Sequence, residues 1–480
     1  MAIMLDRILD STLREGTQTP DVIFSPEESK RLAEKLYFVL KDRGHKGSFI
    51  EIGHPYNPVL RPQVERVANH FKERGYDDVT LVSHCRTLRS DVNMAWKIME
   101  KLKHPGVCVY MSISEKHLSL KVEKSYGQAL RTIEDVVWYC KYELGFPTVA
   151  YTAEDATSTP LERLIEVANF VRAAGADIYR VADTKGQMLP SSFGKLIKGL
   201  VKNTDIPLDV HCHNDLHFAI ANSLAGLEAG ATGVHTTVLG LGERAGITPF
   251  SGLVAVLEEG YGIDTKVNKE KLYGLGKYVS AISGIRIPSK EPVIGENIPI
   301  HKAGPHQKSV IKDPSTYEPF KPEDYGRKRE FEIGPMVSKE FVKIMFDVDG
   351  EQANKIAERL RHYSAEKGGR PLRKGEVGRI LSEEFGIEKN IAYLNEGFSG
   401  VVGIKTKPQV FSGGVANKIN RISLDADYTI SKIYNVTGEF ELWLAIGNCK
   451  DQETYERVLS KIKEIPGVDK MITMAVLDEY

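Results

Sequence analysis

Short apolar runs recur about every 30 residues through the first half of the chain, each followed by a longer stretch with helical spacing. The runs cover 7–13, 48–55, 79–85, 106–115, 148–155, 178–186, 207–215 and 233–244. Such runs, bounded by turn residues, read as buried strands. Between them lie amphipathic patterns such as 25–44 and 159–176. In the latter Leu161, Leu164, Ile165, Val167 and Ala168 recur at helical spacing, and Gly175 supplies the stop. Eight strands alternating with helices in about 260 residues predict an α/β fold. A (β/α)8 barrel and a doubly wound open sheet share this alternation.

The residues that end the runs favour the barrel. Arg14 and Glu15 follow the first, His54 and His84 end the second and third, and Ser114 and Glu154 the fourth and fifth. Thr184, the pair His211 and His213, and Glu243 end the last three. A barrel gathers all eight ends at one mouth, where its chemistry sits, whereas an open sheet spreads them along a line.

After residue 265 the rhythm stops. Residues 266–401 read as turns and helices, notably 338–348 and 350–367, behind a segment punctuated by Pro and Gly. From 402 strand patterns return in a β–α–β–β–α–β order, that of a ferredoxin-like domain. The expected regions are therefore a barrel over 1–265, a mostly helical linker region over 266–401 and an α+β domain over 402–480.

Charge and cysteine content narrow the partners. Lys and Arg total 64 against 65 Asp and Glu, so no basic excess points to nucleic acid. No apolar run approaches the roughly 20 residues of a membrane span, and the N-terminus lacks a signal-peptide pattern. The five cysteines are scattered without a CxxC pair, which predicts reduced thiols and a cytoplasmic protein.

The sharpest local signal is His211-Cys212-His213-Asn214-Asp215. Alternate residues on a strand share a face, so both imidazoles point one way and could form half of a divalent-metal site. The alternative is a hydrogen-bonded core pair. Glu15, at the end of the first run, is the candidate third ligand; such a set leaves coordination positions open for substrate. Arg14 beside it could stabilise negative charge on a substrate oxygen or form a rim salt bridge. Glu154 and Asp155 are adjacent, so only one faces the mouth, where a carboxylate could be a general base. Gly240-Leu241-Gly242 is no phosphate-loop fingerprint. His301 and His306 lie beyond the barrel.

Together these motifs resemble the metal-dependent Claisen-condensing barrels: homocitrate, 2-isopropylmalate, citramalate and Re-type citrate synthases, with hydroxymethylglutaryl-CoA lyase as a relative. The likeness is carried by 10–18 (DSTLREGTQ), the His211 motif, 239–249 (LGLGERAGITP), 301–306 and 313–329, in that order. The tail resembles the amino-acid-sensing domain of leucine-responsive regulators, which a homocitrate synthase subtype also carries. The resemblance implies an acetyl-CoA-dependent acyltransferase acting on a 2-oxo acid. It implies Glu15, His211 and His213 as ligands of a divalent ion (Mn, Mg, Co or Zn). It implies Arg14 and Thr184 at the acceptor, with Glu154 and His306 as the pair that deprotonates acetyl-CoA. It further implies at least a homodimer, with His306 lent by a partner subunit, and an amino-acid effector for the tail.

Several positions depart from the pattern of homocitrate synthases. Ala150 stands where they carry an arginine that meets a carboxylate of 2-oxoglutarate, and Lys185 where they carry a hydrophobic residue. With His84, Arg86, Thr152 and Thr184, Lys185 completes the expected substrate set. Moving a cation without deleting it favours a shorter dicarboxylate, so oxaloacetate is expected ahead of 2-oxoglutarate. An isopropylmalate or citramalate synthase is the alternative. A lyase or a non-catalytic sensor is disfavoured, because no cysteine occurs between Cys212 and Cys449 and all three metal ligands are present.

Overall fold

The structure, a computed structural model, describes residues 3–387, 398–407, 429–435, 442–449 and 452–476, with positions 415 and 419. The chain forms two compact units, Met1–Val279 and Ser280–Tyr480.

In the first unit eight parallel strands close into a barrel, each hydrogen-bonded to its sequence neighbours and the first to the last. They are β1 (Arg7–Asp10), β2 (Ser48–Gly53), β3 (Thr80–Arg86), β4 (Pro105–Ser112), β5 (Thr148–Glu154), β6 (Ile178–Asp183), β7 (Leu208–Cys212) and β8 (Gly233–Thr236). This settles the choice left by the sequence in favour of the (β/α)8 barrel. Helices cover the strands for local reasons. Pro26–Leu40 opens with a capping box, in which the Glu28 carboxylate accepts from the Ser25 N–H at 2.8 Å and the Ser25 hydroxyl accepts from Glu28 N–H at 3.2 Å. Leu161–Ala173 buries Leu164, Val167, Ala168 and Val171, and ends where Gly175 takes φ 102°. Leu161 and Ile165, also at helical spacing, are only half-buried.

The barrel interior is layered. Leu9, Phe49, Val82, Cys108, Ala150 and Ile178 form one apolar cluster. Two residues further along each chain segment stand Ser11, Glu51, His84, Tyr110, Thr152 and Arg180. Because side chains alternate with period two, this second set forms a polar layer above the apolar floor, towards the strands' C-terminal ends.

Several boundaries differ from the sequence reading, two of them with a visible cause. The first strand ends at Asp10, because the Asp10 carboxylate accepts from Thr12 N–H at 2.9 Å and starts a helical turn over Thr12–Glu15. The barrel unit also runs past 265. The helix Leu272–Ser283 buries Leu272, Leu275 and Tyr278, and the Tyr278 hydroxyl donates to Glu28 O on the barrel's first long helix.

In the second unit β9 (Ile300–His301) and β10 (Glu330–Phe331) pair in parallel. Helices Lys339–Phe346 and Gly350–Glu366 are capped by Ser338 and Asp349, and their apolar faces share one core with Val310, Ile333 and Val377. Towards the C-terminus β11 (Phe398–Thr406), β12 (Thr429–Asn435), β13 (Leu442–Cys449) and β14 (Val468–Val476) form an antiparallel sheet ordered β12-β13-β11-β14. That order, with helix Gln452–Lys463, is ferredoxin-like. The other expected helix falls within 408–428, mostly outside the described residues. Among the described residues no helix is long and apolar enough to cross a membrane, and Cys85, Cys108, Cys140 and Cys212 are buried free thiols.

Candidate active site

A cavity of about 280 Å³ opens at the C-terminal ends of the barrel strands. All the polar run-ending residues picked from the sequence line it except Ser114, which is buried and caps the following turn by accepting from His117 N–H.

Glu15, His211 and His213 meet on one side, with one ligand atom from each within 4.8 Å of the others. His211 lies on β7 and His213 just beyond it, while Glu15 is delivered by the turn after β1. His211 Nε2 stands 3.3 Å from Glu15 Oε1, which also pairs with Arg14 Nη1 at 2.6 Å. Burial alone would raise Glu15, but Arg14 and His211 hold it well below the usual carboxylate range. Burial pushes His213 down to about 4, helped by His211. An ionised carboxylate and a neutral imidazole are the forms a metal takes, and the buried Glu15 Oε2 and His213 Nδ1 have no protein partner. The donor set therefore fits a divalent ion.

Behind the triad stands a buried relay that sequence reasoning missed. His211 Nδ1 lies 3.1 Å from His235 Nδ1 on β8. His235 Nε2 is 3.6 Å from Asp209 Oδ2, and Arg7 Nε and Nη2 donate to Asp209 Oδ1 at 3.0 and 2.8 Å. Engaging Nδ1 of His211 leaves Nε2 turned towards Glu15. The loop after β8 closes the other flank. Gly246 adopts φ 76°, and a Cβ there would stand 1.7 Å from Gly240 O, so glycine is required.

His84, Tyr110, Thr152 and Arg180 of the polar layer form the cavity's inner wall, with Glu51 behind them. Glu51 accepts from Arg14 Nε at 2.8 Å, Arg180 Nη1 at 3.0 Å and the Ser11 hydroxyl, and its Oε1 lies 3.0 Å from His84 Nδ1. Burial would raise Glu51, yet Arg14, His84 and Arg180 hold it well below its ordinary value. Burial pushes His84 down to about 3 against the pull of Glu51. Thr152 lines the same wall, its hydroxyl 3.0 Å from Cys108 Sγ. Glu51 and Arg180 were not singled out in the sequence. The available signal was a charge at an alternate position of an otherwise apolar run: Phe49-Ile50-Glu51 and Tyr179-Arg180-Val181.

At the rim Glu154 faces the cavity, ion-paired with Lys121, and Asp155 turns away with φ 56°. The Asp155 N–H donates to the Thr184 hydroxyl at 2.8 Å, so Thr184 keeps its own O–H for a ligand. Two expected site residues are placed otherwise, and a third, His306, lies beyond the barrel. Lys185 points outward, its side chain 47% exposed and 3.6 Å from Asp155 Oδ1. Arg86 is drawn off by a two-point pairing with Asp91 at 2.7 and 3.0 Å and lies over the Tyr56 ring. His306 belongs to the second unit, on helix Gly304–Val310, stacked on Tyr317 at 3.9 Å. Ala150 lies in the apolar floor, one layer below the cavity wall.

The HMGL-like family model matches residues 6–279, more than half of the chain. The chain belongs to the HMGL-like family. A second model, homocitrate synthase post-HMGL domain-like, matches residues 293–368. The homocitrate synthase of Sulfolobus acidocaldarius is 32% identical over 98% of this chain and 97% of its own length. That of Sulfurisphaera tokodaii is 31% identical over 98% of each. Among solved structures, the HMG-CoA lyase of Bacillus subtilis superposes with a TM-score of 0.52 at 21% identity, covering 60% of this chain and 98% of the lyase. Hydroxymethylglutaryl-CoA lyase of Pseudomonas aeruginosa gives 0.50 at 20% identity, over 59% and 94%. At that identity the lyases speak to the barrel fold alone, whereas the full-length synthases share both units with this HMGL-like chain.

Proposed function

We propose that the chain condenses acetyl-CoA with a 2-oxo dicarboxylate and then hydrolyses the thioester. The acetyl methyl loses a proton, the resulting carbanion bonds to the acceptor's oxo carbon while the oxo oxygen takes the π pair and a proton to become a hydroxyl, and water releases CoA. Membership of the HMGL-like family and full-length likeness to homocitrate synthases support an acetyl-CoA-dependent condensing transferase. The observation that carries the choice of acceptor is the pair of buried guanidiniums in the cavity wall, Arg14 and Arg180, fixed by one carboxylate behind them.

Glu15, His211 and His213 would hold a divalent ion, which when bound supplies a Lewis acid for the acceptor's oxo group. Arg14, clamped between Glu15 and Glu51, offers its remaining N–H groups to the oxygen on which charge develops, without reorganisation during reaction. Thr184 donates its free O–H to the acceptor's carboxylate. Glu154 takes the methyl proton, steered by Lys121, with His306 of a partner subunit completing the acid–base pair. Within the dicarboxylates, oxaloacetate is favoured. Arg180 reaches Glu51 one layer above Ala150, so its guanidinium raises the floor and shortens the cavity. The specific support for 2-oxoglutarate is the name carried by the full-length relatives, homocitrate synthase. The ferredoxin-like tail is read as an effector-binding domain.

The test is thiol release from acetyl-CoA by purified full-length protein with each of four oxo acids. The expected order is oxaloacetate, then 2-oxoglutarate, with 2-oxoisovalerate and pyruvate far behind. A preference for either monocarboxylate overturns the reading.

A further inference from the structure

Arg180 is the largest fully buried side chain in the described residues, and it sits in the wall of the reaction cavity. Such a group normally has its donors satisfied. Here Nη1 donates to Glu51 at 3.0 Å, while the buried Nε has no partner. Nor does Glu51 belong to Arg180 alone, since the same carboxylate accepts from Arg14 Nε and Ser11 and meets His84. One carboxylate thus serves two guanidiniums. In the inner cavity Arg14 and Arg180 are balanced by Glu15 and Glu51, with His84 held neutral by its burial. A divalent ion on Glu15, His211 and His213 would leave two positive charges uncompensated, which the two negative charges of a 2-oxo dicarboxylate would balance.

Position adds the direction. Arg180 pairs in register with Thr152 on one side and Asp209 on the other, while His211 pairs with Ala182, two residues nearer the mouth. Arg180 therefore lies deeper than the metal triad by one strand period. A ligand whose oxo and first carboxylate groups face the triad would point its far end down towards Arg180.

We propose that Arg180, anchored by Glu51, binds the second carboxylate of the acceptor and sets its permitted length, in place of a cation on β5. This rests on the dicarboxylate reading above. A guanidinium can meet that carboxylate with N–H groups left over while Nη1 keeps Glu51, a planar, multi-donor contact that lysine cannot copy.

The test compares wild type, Arg180→Met and Arg180→Lys by steady-state kinetics with oxaloacetate, 2-oxoglutarate and 2-oxoisovalerate, with circular dichroism and bound-metal content measured alongside. Arg180→Met is expected to lower kcat/KM for the preferred dicarboxylate by about 10- to 100-fold, the loss typical of a hydrogen bond to a charged group. 2-Oxoisovalerate turnover should hold or rise, so the discrimination ratio collapses. Should Arg180→Met fail to fold because Glu51 loses a partner, Arg180→Lys decides: it should raise KM for dicarboxylates without a matching rise for the monocarboxylate. A parallel loss on all three acids in a folded, metal-bearing variant, or unchanged KM values, overturns the assignment. Failure of the dicarboxylate reading is distinct from either, because it appears in the wild type as a preference for 2-oxoisovalerate.

Discussion

At the scale of single residues, the site is defined by what burial does to charge. Glu15 and Glu51 stay ionised inside the barrel because arginines stand against them, and burial keeps His84 and His213 neutral. The triad should then bind metal tightly and depend on the side chains behind it. His213→Ala is expected to abolish retention of a divalent ion. His235→Phe, which removes the partner of His211 Nδ1 together with the imidazole beside Asp209, should weaken it by about 10- to 100-fold. Metal content after dialysis and competition with a chelator measure both, and unchanged retention in His213→Ala would remove the triad from the account. A second consequence is pH dependence of stability. Burial lowers His54 to about 4 and His84 to about 3, from an ordinary value of 6.5. Below that value the unfolded chain binds protons that the folded chain refuses. The stabilisation is thus present above about pH 6.5 and drains away as pH falls towards 4. Thermal midpoints between about pH 7.5 and 4.5 should fall, and less steeply in His84→Asn. An identical slope in that variant would refute the assigned cause.

At the scale of elements, the strands were legible because buried parallel strands write continuous apolar runs, and their polar ends converge as a barrel requires. What could not be read was the layer of each inward residue. Ala150 and Thr152 are two apart on one strand, yet the first packs with Ile178 in the floor and the second lines the cavity. Arg180 escaped notice for the converse reason: a charge inside an apolar run has no spacing signature until strand register sets it beside Glu51. Lys185 shows the limit at strand ends, where direction is decided by local pairing, here with Asp155. Lys185→Ala is therefore expected to leave KM for oxaloacetate within about twofold of wild type, as surface substitutions usually do. A rise of tenfold or more would place that ammonium at the substrate after all.

At the scale of the whole molecule, the barrel carries the triad, the guanidiniums and Glu154, while His306 stands on the second unit. If the acid–base pair is completed across a dimer, inactive Glu15→Ala and His306→Ala proteins should regain part of their activity when mixed and allowed to exchange subunits. Exchange proven by labelled subunits, without recovery, would show that each chain works alone. The central claim is that a new carbon–carbon bond joins the acetyl methyl to the oxo carbon of a dicarboxylate. Its most direct test follows acetyl-CoA labelled with 13C at the methyl carbon through the reaction with oxaloacetate by NMR. The account predicts that the label moves from a methyl into a methylene of a tricarboxylic acid, one for each CoA released. Label recovered as free acetate, or left on the thioester while metal-loaded protein stands with oxaloacetate and 2-oxoglutarate alike, would contradict it.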